Sequence, residues 1–163
     1  MNFFEHHSSG YFLRGFGLVE IVLAIGIITM SLYAVSGVAR SSLELNRRVL
    51  EGLQAQFLAE ESAEALRFLR NKNWTEITSL TVDIPYFMSF ATTTWPLSTA
   101  TTSINGFYRT IVVSNVNRDT NDRITSSGGT LDQGTKKIII TVSWWGGIAT
   151  TSRSVTLYLT DLL

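Results

Sequence analysis

The sequence contains no cysteine. Disulfides, thiolate metal centres and cysteine nucleophiles are thereby excluded, while the redox compartment stays open. Histidine occurs only at His6 and His7, so the chain beyond them offers no imidazole for acid–base chemistry or for zinc. Phosphate-cradling glycine loops and a Gly-x-Ser-x-Gly element are also missing, and the adjacent carboxylates Glu60 and Glu61 fall on a predicted helical surface. No spacing points to an acid–base pair, and no enzyme or cofactor is expected. Net charge is lacking too. Thirteen basic and thirteen acidic residues cancel, which removes the long-range attraction of a nucleic-acid binder, so no nucleic-acid partner is expected.

What is present is a concentration of apolar residues. The 163 residues leave room for one domain and an anchoring element. Hydrophobic residues make up 45% of the chain, on the apolar side for a soluble protein. One run accounts for much of this: residues 21–39, IVLAIGIITMSLYAVSGVA, carry no charge and as a helix would extend about 28 Å, close to a hydrocarbon core of about 30 Å. Residues 16–18 lengthen it enough to span. A cleaved secretory signal would have a shorter apolar core nearer the start, and apolarity on every face argues for lipid or a packed helical bundle. Glu20 stands at the head of the run, where a carboxylate within a span costs roughly 2.5–3.5 kcal/mol. It needs a partner, or it must reach headgroup water.

The segment Arg14-Gly15-Phe16-Gly17-Leu18-Val19-Glu20 followed by this run resembles the processing signal of type IV prepilins and type II secretion pseudopilins. The resemblance implies a leader over residues 1–15, cleavage after Gly15 by a prepilin peptidase and methylation of the new N-terminal Phe16 by the same enzyme. It also implies a single-pass inner-membrane protein, its C-terminal domain outside, drawn by an assembly platform into an extracellular or periplasmic filament of pilin subunits. Glu20 is then the assembly residue. Cleavage creates an α-amino group with an ordinary pKa of about 7.7–8.0, mostly cationic at neutral pH and in need of a counter-charge once surrounded by apolar helices. Glu20 lies four residues from Phe16, one helical turn, and can neutralise its own amine or that of a neighbouring subunit. The family pattern favours the neighbour. Glu5 offsets Arg14 in the leader, so orientation rests on the resemblance rather than on charge. His6 and His7 lie in the expected leader and are read as solvated.

Beyond Arg40 the pattern becomes amphipathic, with Leu50, Leu53 and Phe57, then Ala59, Ala63 and Leu66, at spacings of three and four. A helix from about residue 17 is expected to stop at Asn71-Lys72-Asn73, far longer than most globular helices. Residues 16–39 form its transmembrane half and 40–73 its amphipathic half. Gly26, Gly37 and Gly52 are candidate points of bending or close helix approach.

The remainder, 74–163, reads as a loop and an antiparallel sheet. Strands are expected over 110–116, 137–145 and 154–160, where Val, Ile, Thr and Trp concentrate. Val155, Leu157 and Leu159 should face the helix, and Trp144 and Trp145 should point to opposite sides. Residues 73–105 read as a surface loop with one short strand over 80–84. The fold class is therefore α+β, a long N-terminal helix packed on a C-terminal antiparallel sheet, as in pilins.

Asn117, Asp119, Asn121 and Asp122 offer alternating oxygens, with Asp132 a further one, superficially like a calcium loop. They lack the glycine and terminal acid of an EF-hand, and the other reading is a polar turn tightened by side-chain to backbone bonds. The functional expectation is a structural subunit of a type IV pilus or related filament, with a minor pilin favoured and a major pilin or secretion pseudopilin left open. Its rivals are a non-polymerising single-span protein exposing a β domain for adhesion or ligand binding, and an enzyme secreted behind a signal peptide.

Overall fold

The computed structural model describes residues 17–89 and 95–162. The expected leader and the Gly15–Phe16 bond lie outside them. The chain divides into two compact units, the second being Asn46–Leu163. Helix α1, Leu18–Lys72, contributes to both, and passes through Gly26, Gly37 and Gly52 as continuous helix. In the described part of the first unit every residue is exposed, so no described residue covers the apolar run.

The second unit is built around one antiparallel sheet. After α1 come the single turn α2 (Thr75–Thr78) and strands β1 (Pro85–Met88), β2 (Leu97–Ser98), β3 (Ser103–Ile104), β4 (Phe107–Arg118), β5 (Ile124–Thr125), β6 (Thr130–Trp145) and β7 (Thr150–Thr160). The order is β2-β1-β4-β6-β7, with the short β3 and β5 also pairing with β4. Strand alternation decides which face is buried. Phe107, Ile111 and Val113 of β4, then Ile138, Ile140, Val142 and Trp144 of β6, point to the core. Leu159 of β7 joins them, with Val155 and Leu157 packed against the cluster, as the alternation in 154–160 requires.

The part of α1 in this unit supplies the other half of the core through Ala55, Ala59, Ser62, Ala63, Ala65, Leu66 and Leu69. These recur at three- and four-residue spacing, and five of the seven are small, so the helix backbone can approach the sheet closely. The larger side chains Leu66, Ile77, Ile111, Ile138 and Ile140 are fully buried. Each contributes roughly 1.5–3 kcal/mol relative to exposure.

Three expectations need correction. Leu50, Leu53 and Phe57 do not continue the buried stripe: Phe57 is 67% exposed and Leu53 51%. They sit on the opposite side of the helix from Ala55, Ala59 and Leu66, because a stripe through residues 59, 63 and 66 extends backwards through 55 and not through 57 or 53. Residues 80–84 are not a strand. Asp83 takes a left-handed conformation (φ 60°), its N–H donates to Val113 O at 2.8 Å and its carboxylate accepts from Ser114 Oγ at 2.6 Å. These bonds fold the segment back and start the strand at Pro85, the one strand position where a missing N–H is least costly. The stretch 73–105 is accordingly not a plain loop, since α2 buries Ile77 and three short strands extend the sheet.

Candidate functional site

The first candidate site is the N-terminal half of α1. Ile21 to Ala39 is uncharged, wholly exposed and helical, and α1 is the one described helix long and apolar enough to cross a membrane. Its threonine and serine hydroxyls bond to the helix's own backbone. Thr29 Oγ1 donates to the carbonyls of Ile25 and Gly26, both at 2.9 Å, Ser31 Oγ to Ile27 O at 2.8 Å and Ser36 Oγ to Leu32 O at 2.8 Å. Back-bonding of this kind removes most of the cost of placing a hydroxyl in hydrocarbon, where an unsatisfied polar group costs several kcal/mol. Glu20 is the one charged residue between Gly17 and Ala39 and stands in the first turn, where its N–H donates to Gly17 O at 2.9 Å. Its exposed carboxylate is placed favourably for the positive end of the helix dipole, an effect of about 0.3–1 kcal/mol.

The second unit contains three polar constellations that link elements distant in sequence. Arg109 occupies a core position of β4 in phase with Phe107 and Ile111, and is only 2% exposed. Its Nη1 donates to Glu61 Oε2 on α1 at 2.6 Å and its Nη2 to Met88 O on β1 at 3.2 Å, while the guanidinium lies 5.7 Å from the centre of the Trp95 ring. Nε is buried without a hydrogen-bond partner among the described residues. The sequence signal was present, since a cation interrupts an otherwise apolar alternation, but its partners lie 48 and 21 residues away.

Glu51 forms the second. It accepts from Arg47 Nε at 2.9 Å and from the indole N–H of Trp144 at 3.2 Å. Arg47 and then Trp144 hold its carboxyl below the ordinary range, against partial desolvation. Trp144 itself is buried against Phe107, with ring centres 5.6 Å apart. Its neighbour Trp145 is 61% exposed on the other face, as alternation demands.

The third constellation contains the calcium candidates. Asn117 and Arg118 end β4, and the turn proper begins at Asp119. Asp119 Oδ1 accepts from the backbone N–H groups of Asn121 and Arg123 at 2.8 and 2.9 Å, and Asn117 Nδ2 donates to Gly128 O at 3.0 Å. Arg118 gathers the remaining acids: Nε is 2.7 Å from Asp132 Oδ2 and 3.6 Å from Asp122 Oδ1, and Nη1 donates to Asp122 O at 2.9 Å. Arg118, then Thr135, lowers the Asp132 carboxyl, and Asp132 raises Arg118. No group of three or more His, Cys, Asp or Glu poised for a metal occurs among the described residues. The bonds of Asp119 are those of the polar-turn reading, with an arginine supplying the positive charge.

Fold and site together define an α+β protein with one candidate membrane-spanning helix and an antiparallel sheet packed on that helix's later turns. Comparison with models of known families, with characterised proteins and with solved structures gave no match to this chain.

Proposed function

We propose that this protein is a structural subunit of the prepilin class, cleaved after Gly15 and assembled through its N-terminal helix into a type IV pilus or related filament, as a minor component. The observation that carries the reading is the pairing of a charge-free, uncovered apolar helix with a single carboxylate at its head, Glu20, directly after the Arg14-Gly15-Phe16 signal. An apolar helix that no described residue covers needs lipid or other helices around it, and a subunit that passes from membrane to filament uses both in turn. Glu20 then serves as counter-charge for the amine of Phe16, preferentially that of a neighbouring subunit. In this reading the C-terminal unit lies outside the inner membrane. The partners are other pilin subunits, the prepilin peptidase and methyltransferase, and the assembly platform.

The test is the intact mass and N-terminal sequence of membrane-extracted protein made with and without a prepilin peptidase. A peptidase-dependent start at Phe16, with an added methyl mass, is the expected result. An unprocessed Met1 in both preparations would overturn it in favour of a static single-span protein that exposes its β unit to a ligand. A start beyond Ala39 would mean a conventionally secreted chain.

A further inference from the structure

The hairpin joining β6 to β7 ends in Trp145, Gly146, Gly147, Ile148 and Ala149, and its two large side chains point into solvent, Ile148 being 83% exposed. The tip lies at the end of the sheet next to the first turns of α1 in this unit, because Trp144 bonds Glu51 there. Between hairpin and helix runs an open groove of about 520 Å³ whose lining includes Arg48, Glu51, Trp144, Thr151 and Arg153. Arg48 and Arg153 bring two guanidinium groups to this groove, beside the Glu51 carboxylate that Arg47 pairs with. Arg48 lies nine positions beyond Ala39 at the end of the apolar run, a reach of at most about 30 Å even fully extended.

From these observations we infer that the β6–β7 hairpin docks on the membrane surface, with Trp145 and Ile148 entering the interface and the groove between Arg48 and Arg153 seating the phosphate of an anionic phospholipid headgroup. The inference rests on the membrane-anchored reading of α1. Tryptophan favours the headgroup level, where its ring is half buried and its N–H stays wet. Arginines close to an anionic leaflet are drawn to it, and guanidinium groups suit a phosphate. The arginines supply charge complementarity and the short tether keeps the hairpin within reach of the lipid.

The absence of cysteine makes the test clean, since each introduced thiol is the only one. The full chain carrying Ile148→Cys, Tyr33→Cys or Asn121→Cys is spin-labelled and placed in nanodiscs of phosphatidylcholine alone or with phosphatidylglycerol. Accessibility to oxygen is then compared with accessibility to a water-soluble nickel chelate. The Tyr33→Cys label should be in hydrocarbon in both lipids and the Asn121→Cys label aqueous in both. The Ile148→Cys label should lose nickel accessibility several-fold only when phosphatidylglycerol is present, and should regain it in an Arg48→Gln, Arg153→Gln background. An aqueous Ile148→Cys label in both lipids, with Tyr33→Cys buried, overturns the docking and leaves the anchor standing. Equal burial in both lipids overturns the anionic headgroup site. Recovery of the effect by adding glycerol phosphate to phosphatidylcholine discs would make the groove a free-phosphate site and overturn the lipid assignment. An aqueous Tyr33→Cys label overturns anchor and docking together.

Discussion

Arg109 and Glu61 offer the sharpest test of how the later part of α1 is held to the sheet. A guanidinium this deeply buried has given up several kcal/mol of hydration, and its carboxylate partner returns about 4 kcal/mol at an effective dielectric of 20. The two terms nearly cancel. Removing Glu61 alone leaves the cation with Met88 O, a long 3.5 Å bond to Leu58 O and the Trp95 face. Loss of a fully buried partner would cost about 3–5 kcal/mol, but Glu61 is 45% exposed and water can take its place in part. Glu61→Ala should therefore destabilise the unit by roughly 2 kcal/mol. Arg109→Met removes the buried charge and fills similar space, and should cost under about 1 kcal/mol, because the half-exposed Glu61 then simply hydrates. Urea unfolding of the detergent-solubilised protein, followed by tryptophan fluorescence, compares the two midpoints at constant slope. If Arg109→Met is as damaging as Glu61→Ala, the cation contributes net stability through its contacts and the cancellation argued here is wrong.

Leu66→Ala removes a fully buried side chain between α1 and the sheet and should cost about 2–5 kcal/mol in the same assay, whereas Phe57→Ser on the exposed face should stay within about 0.5 kcal/mol. Gly129→Ala should destabilise the turn between β5 and β6 by at least about 1–3 kcal/mol, seen as faster amide exchange over residues 119–130. Gly129 has φ +78° and an added Cβ would stand 2.4 Å from Arg118 O. The Asp132 carboxyl is lowered by Arg118, so its stabilisation is complete above the ordinary carboxylate pKa and is lost as pH falls through the depressed folded value. The Gly134 amide, which donates to Asp132 Oδ1 at 2.9 Å, should titrate in an NMR series only below pH of about 4, and Asp132→Asn should abolish that transition. Under the proposed function, Glu20→Gln should leave membrane insertion and processing intact while lowering filament incorporation by on the order of tenfold or more, measured as sheared against membrane-retained subunit, since a buried unpaired ammonium costs several kcal/mol.

The sequence by itself determined what local periodicity and composition can encode. The uncharged run 21–39, the stop at residues 71–73, the three long strands and the inward set Val155, Leu157 and Leu159 are legible because helix and strand place side chains at fixed repeats. The Arg14-Gly15-Phe16 pattern is local in the same way, but it lies outside the described residues and the processing it suggests belongs to the proposed function. Tertiary structure decided which of two competing helix stripes is buried. It chose the small residues Ala55, Ala59 and Ala63 over the bulkier Leu50, Leu53 and Phe57, because a helix seated on a sheet gains more from close approach than from large side chains at the seam. It also decided the partners of the charges. Arg109 finds Glu61, Trp144 finds Glu51 and Arg118 finds Asp132 across separations of 48, 93 and 14 residues, and such pairings follow from strand register and helix placement rather than from any spacing along the chain.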